Sequence, residues 1–70
     1  MSEKNIDHRV EIGNRIAEIR KQRGLTQTEL SEITGLKQVN ISKIENGKYG
    51  VGIDILNRIC NALNVKLKIE

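Results

Sequence analysis

The sequence predicts an all-α domain, a compact four-helix unit with a short strand at its C-terminal end. Three observations lead there. Apolar residues recur three or four apart over most of the chain, which is the helical period. Glycines stand where each of the first three helical runs stops. The period changes to two only after Asn64, where Val65, Lys66, Leu67, Lys68, Ile69 and Glu70 alternate apolar with charged, a strand pattern. Seventy residues hold one domain at most, with a marginal core, because small domains bury a smaller share of their surface. One Tyr and no Phe, Trp or Pro leave that core to Ile, Leu and Val.

Each element has its own local signals. The first helix is expected from about Ile6 to Arg23, with Ile6, Val10, Ile12, Ile16, Ala17 and Ile19 as its apolar stripe and Gly24 as its stop. Thr26 and Glu29 have the spacing of a capping box, flanked by Leu25 and Leu30 as a hydrophobic staple. A short second helix therefore starts at Gln27 and ends near Thr34, where Gly35 supplies a left-handed turn. The third runs from about Gln38 to Asn46 and stops at Gly47. The fourth, roughly Ile53 to Leu63, carries Ile55, Leu56, Ile59, Ala62 and Leu63 at helical spacing, with Gly52 where a Ser or Asp cap would stand. The strand has no partner within the chain, and an isolated strand or hairpin is marginal in water. The chain thus divides into a polar lead (1–8), a helical domain (9–64) and a terminal strand (65–70).

Composition narrows the function. No stretch approaches the roughly 18 apolar residues of a membrane helix, and the opening Met-Ser-Glu-Lys-Asn lacks the basic start and apolar middle of a signal peptide. No membrane association and a cytoplasmic location are expected. The single cysteine can form no internal disulfide and gives no metal-ligand spacing. Cys60, among Ile59, Ala62 and Leu63, reads as a small core residue, and His8 reads as surface. With no convergent acid–base set, neither an enzyme nor a bound metal or cofactor is expected. The net charge is +3. Residues 12–50 hold seven basic and four acidic groups, and the two flanks together hold five of each. That excess suits a polyanionic partner, although many domains that bind none share it.

Two short helices joined by a tight glycine turn form a helix-turn-helix, whose second helix commonly lies in the DNA major groove. With Gln38 at zero and about 100° per residue, Ser42, Asn46, Val39 and Lys43 fall within one arc of roughly 140°, and Ile41 and Ile44 fall opposite. The isoleucines are the core stripe and the polar arc faces out. A glutamine can pair bidentately with adenine, a lysine can donate to guanine, and a small apolar side chain can pack on a thymine methyl. Gln38, Lys43 and Val39 are assigned those base-reading roles. The same residue types also suit an ordinary soluble helix surface, and it is their position after the glycine turn that favours DNA.

The run IRKQRGLTQTELSEITGLKQVNISKIENGK, within residues 12–65, resembles the lambda-repressor and Cro-like family of DNA-binding proteins, also called the XRE family. The GLTQTEL entry, the Gly35 turn, the IENG ending and a fourth helix ending in ALNV agree in order. The resemblance implies that Gln27 contacts DNA phosphate and buttresses Gln38. It implies base reading by Val39 and Lys43, with Asn40 and Ser42 as neighbours able to touch base or backbone, and backbone contacts from Asn46, Lys48 and Tyr49. It further implies that Arg20 and Glu45 form a structural ion pair tying the first helix to the third.

The chain departs from the family pattern in three places. Lys37 replaces the usual Ser or Thr cap of the third helix; a cation beside the positive end of a helix is unfavourable, which suggests a phosphate contact. The loop KYGVG lacks the family's common proline and serine. The alternating end replaces a fifth helix and resembles HipB-type antitoxins, whose terminal strands pair between subunits. Such a ribbon would bury Val65, Leu67 and Ile69 and make a homodimer whose symmetry suits a pseudo-palindromic operator on double-stranded DNA. The expected function is a dimeric transcriptional repressor. The alternative is an antitoxin that neutralises a cognate toxin and represses its own operon.

Overall fold

A computed structural model of the chain describes residues 8–66. Four helices follow one another: α1 His8–Gln22, α2 Gln27–Thr34, α3 Gln38–Glu45 and α4 Ile53–Leu63. Helix α3 packs against both α1 and α2, and α2 also packs against α4. Leu30, Ile41, Ile44, Ile59 and Leu63 lose essentially all their surface where these helices meet. Ile16, Leu56 and Cys60 complete the core, and Leu25, Leu36, Val51 and Val65 pack around it. None of the described helices is long and apolar enough to cross a membrane.

The helix boundaries follow the local signals closely. At the start of α2 the Thr26 hydroxyl accepts from the Glu29 backbone N–H at 3.0 Å and the Glu29 carboxylate accepts from the Thr26 N–H at 2.8 Å. Two of the orphan donors at that helix start are thereby satisfied. Helices α1, α3 and α4 end alike: Leu25 N–H reaches Arg20 O, Lys48 N–H reaches Lys43 O and Val65 N–H reaches Cys60 O, each across a left-handed residue. These are Schellman ends. Helix α2 ends on the simpler left-handed cap, with Gly35 at φ 78° donating to Ser31 O. A Cβ there would add strain but no clash.

Two expectations are corrected, and the ends of α1 and α3 each come one residue earlier than expected. Val10, placed in the apolar stripe of α1, is 44% exposed; its Cα and Cγ2 lie over Gly47, at the end of α3, instead of in the core. The strand expected from Val65 does not begin among the described residues, because the Val65 N–H closes the end of α4 at 2.9 Å and is not available to a ladder. Leu67 and Ile69, like Ile6 at the other end, lie outside the described residues. Helix α3 stops at Glu45, with Asn46 as its cap residue.

Gly13 sets the distance between α1 and α3. It is buried in the middle of α1, and a methyl group there would collide with the Ile44 carbonyl oxygen and stand 2.8 Å from that of Glu45. Only glycine lets the two backbones approach so closely. Cys60 is 9% exposed, and burial pushes its thiol pKa up, because the apolar surroundings disfavour the thiolate. His8 is exposed at the start of α1, with Nδ1 3.2 Å from a Glu11 carboxylate oxygen.

Candidate nucleic-acid interface

Helix α3 has eight residues, too few to be stable alone, so its neighbours hold it in place. Ile41 and Ile44 bury its inner face. At its entry the Ser31 hydroxyl donates to Leu36 O at 2.6 Å, and the buried Thr34 hydroxyl donates to Leu30 O at 2.8 Å while accepting from the Leu36 N–H at 3.2 Å. These bonds fix both polar groups of Leu36 and hence the angle at which α3 leaves the turn. Lys37 occupies the cap position in extended conformation and makes no side-chain cap bond.

The outer face holds the residues assigned to DNA. Gln38, Val39 and Lys43 are exposed, Val39 to 52%. An exposed valine on a short helix is costly to hydrate and suits a contact with a methyl group. Asn40 and Ser42 are half-buried, and Asn46 Nδ2 lies 3.5 Å from Ser42 Oγ. Lys37, Lys48 and Tyr49 are also exposed, at the two ends of α3. Val65 is half-buried and, with Ile12, Ile16, Ile19, Leu56 and Leu63, lines an apolar groove of about 510 Å³.

Beneath this face runs a chain of side-chain hydrogen bonds. Arg20, 8% exposed, meets Glu45, 6% exposed, through Nε to Oε2 at 2.7 Å and Nη2 to Oε1 at 2.9 Å. Its Nη1 donates to Leu25 O at 2.8 Å. Hydrogen bonding to Glu45 raises the Arg20 pKa, against the opposing effect of burial, so the guanidinium stays charged. A buried pair of this kind is strongly destabilising to break, by about 3–5 kcal/mol when one partner is removed. Glu45 Oε1 also accepts from Gln27 Nε2 at 2.9 Å, and Gln27 Oε1 accepts from Gln38 Nε2 at 2.7 Å. Four residues from three helices thus link the core to the outermost glutamine of α3.

Sequence reasoning missed Gly13, the Ser31 and Thr34 bonds and the bond between Glu45 and Gln27. A glycine in mid-helix costs about 1 kcal/mol relative to alanine, and that unexplained cost was the available signal for Gly13.

A helix-turn-helix family model matches residues 16–69. The chain belongs to this family. It is the lambda-repressor-like group that the GLTQTEL and IENG runs resemble. Over 54 residues the chain is 37% identical to Antitoxin PezA of Streptococcus pneumoniae, covering 77% of this chain and 34% of that protein. It is 34% identical over 56 residues to the immunity repressor protein of Bacillus phage phi105, covering 80% of this chain and 39% of that one. The chain therefore spans between a third and two fifths of the length of these two relatives. Among solved structures, the restriction-modification controller protein C.AhdI of Aeromonas hydrophila superimposes with a TM-score of 0.83 at 26% identity, covering 87% of this chain and 92% of that one. This helix-turn-helix chain thus shares its fold with a restriction-modification controller protein of nearly its own length.

Proposed function

We infer that the helix-turn-helix chain is a sequence-specific regulator of transcription that binds double-stranded DNA with α3 in the major groove and acts as a dimeric repressor. One observation carries this reading: Gln38, Val39 and Lys43 stand exposed on a face whose inner side is fixed to the core by Ile41, Ile44 and Glu45. A reading edge needs such rigidity, because misplaced groups leave base donors and acceptors unpaired. Gln38, Val39 and Lys43 read bases. Lys37, Asn40 and Ser42 contact base or backbone beside them. Gln27, Asn46, Lys48 and Tyr49 contact phosphate and set the register, which supplies affinity without sequence choice. Arg20 and Glu45 hold the frame.

The DNA-binding unit is residues 9–64, preceded by the lead at 1–8. The segment 65–70 joins two copies through Val65, Leu67 and Ile69, which supplies the two-fold symmetry of a pseudo-palindromic operator. The apolar groove that begins at Val65 supports this placement. The protein works in the cytoplasm. The similarity to PezA favours a second reading, in which the same chain is the DNA-binding part of an antitoxin whose partner is a cognate toxin.

Selection of bound duplexes from a random library tests the first reading. Two inverted half-sites with centres about one helical turn apart are expected. An enriched single half-site would remove the dimer, and no enriched motif from soluble, helical protein would overturn sequence-specific binding. Co-purification of a toxin from the native host would favour the antitoxin reading.

A further inference from the structure

We propose that Glu45, which faces the core and touches no DNA, determines which base Gln38 prefers by fixing the direction of the hydrogen-bond chain that runs from Arg20 to the tip of α3. The proposal rests on α3 being the reading helix. Its basis is the one-way character of a carboxylate. An ionised carboxylate only accepts hydrogen bonds, whereas a glutamine amide is a donor at one end and an acceptor at the other, with nearly the same shape either way round.

Glu45 Oε1 already accepts from Arg20 Nη2 at 2.9 Å, and Gln27 lies against the same oxygen, also at 2.9 Å. Turning the Gln27 amide over would set two oxygens against each other with no proton between them. Gln27 must therefore present Nε2 to Glu45 and Oε1 to Gln38. Facing an oxygen at 2.7 Å, Gln38 must in turn present its Nε2. Both members of the ion pair are nine-tenths buried and the Gln27–Glu45 bond is partly buried, so a reversed bond at Glu45 is costly; the Gln27–Gln38 bond is exposed and takes its direction from Gln27.

Gln38 consequently arrives with one Nε2 hydrogen engaged and its orientation decided. What remains is one N–H beside one carbonyl oxygen, in fixed order. The major-groove edge of adenine offers the complement, an acceptor at N7 and a donor at N6. An unrestrained glutamine could turn over and place its N–H where its oxygen had been, facing an acceptor such as guanine O6 or thymine O4. Glu45 removes that second state. It is a positioning residue for base choice, acting through Gln27 and Gln38.

The test compares duplex selection by the wild-type chain with selection by Glu45→Gln, Gln27→Met, Gln38→Ala and the double variant Glu45→Gln with Gln38→Ala. An amide at position 45 can donate or accept, so it releases the direction. Gln27→Met cuts the chain but leaves the Arg20–Glu45 pair whole, and should Glu45→Gln not fold, an unchanged preference in Gln27→Met still overturns the proposal. At the base pair whose preference Gln38→Ala erases, both single variants are expected to lose about tenfold in discrimination, within the range of one bidentate contact. Preferences set by Val39 and Lys43 should persist. Adding Glu45→Gln to Gln38→Ala should change nothing further, because coupled residues do not add. Unchanged preference at that base pair in both single variants overturns the proposal, and so does an equal loss at every position. A wild-type chain that enriches no motif overturns the reading of α3 itself.

Discussion

Replacing Gly13 by alanine is the sharpest test of how the helices are assembled. Two effects oppose each other. Alanine in a helix interior is favoured over glycine by about 0.8–1.0 kcal/mol, so an uncrowded site would become more stable. At Gly13 the added methyl would collide with the Ile44 carbonyl and stand 2.8 Å from Glu45 O and 3.0 Å from Glu45 C. All three contacts are backbone atoms, which cannot swing aside as a side chain can. Forcing an extra carbon into a packed interior costs about 1–3 kcal/mol, and more where the backbone must move. Because the collision is with the backbone of α3 itself, the upper part of that range applies. Subtracting the helical gain leaves a net loss of about 2 kcal/mol, which for a domain of this size lowers Tm by roughly 8–16 °C.

Thermal and urea unfolding followed by circular dichroism measure this directly. The neighbouring exposed substitution Asn14→Ala, on the same helix, supplies the control and should raise stability by roughly half a kcal/mol. A Gly13→Ala chain as stable as wild type, or more so, would refute the close approach of α1 to α3. The consequence reaches the DNA face. Pushing α1 away also separates Arg20 from Glu45, so Gly13→Ala should weaken base discrimination at the Gln38 position even below its melting temperature.

Gln38→Ala should remove about 1–3 kcal/mol of discrimination at one base pair, whereas Lys48→Ala should weaken all duplexes alike and lower the salt slope by about one; titrations against specific and random DNA at several salt concentrations separate the two. Lys37→Ser should stabilise the fold by about 1 kcal/mol, through a new cap bond and the loss of a cation at a helix start, yet weaken binding to every duplex; unfolding and binding curves of one variant check both. The buried Cys60 thiol should react with a thiol reagent at pH 8 more than about 100-fold slower in the native chain than in the denatured one. Its native pKa is raised, so the stability it contributes is complete below the unfolded thiol pKa and declines as pH rises from there through the native value. A denaturation midpoint that does not fall above about pH 9 would contradict that burial.

Most of the fold was legible because its punctuation is local. Thr26 with Glu29 declares a helix start, and Gly24, Gly35 and Gly47 each occupy a left-handed residue where a helix ends. Those signals need nothing beyond a few neighbouring residues. One error arose where the deciding partner is remote in sequence, and the other where a local helix end overrode the alternating pattern. Helical spacing put Val10 on the apolar face but carried no information about what would cover that face. Alternation made Val65 look like the first residue of a strand, although its N–H belongs to the end of α4. The Arg20–Glu45 contact spans 25 positions, and nothing in either local segment announces it; it was legible only through resemblance to a known family. The outward arc of α3 could be read from periodicity alone, but the bonds beneath it could not.

On the proposed reading, stability and recognition meet at one residue in this small domain. Glu45 receives Arg20, which ties α3 to α1, and it receives Gln27, which leads to Gln38. A domain with few core residues can hold α3 in this way without adding apolar bulk, because the bidentate ionic contact adds directional bonds to the packing of Ile41 and Ile44. The same economy divides the reading face into two kinds of position. Val39 and Lys43 project from α3 with their side chains exposed, so on the proposed reading substitutions there retune the contact with DNA at a stability cost of only about half a kcal/mol. Gln38 is bonded inward, so changing it leaves Gln27 Oε1 without its donor. If these three residues read bases as proposed, new preferences are reached more readily through positions 39 and 43 than through position 38. A change at 45 would disturb both the fold and the base choice.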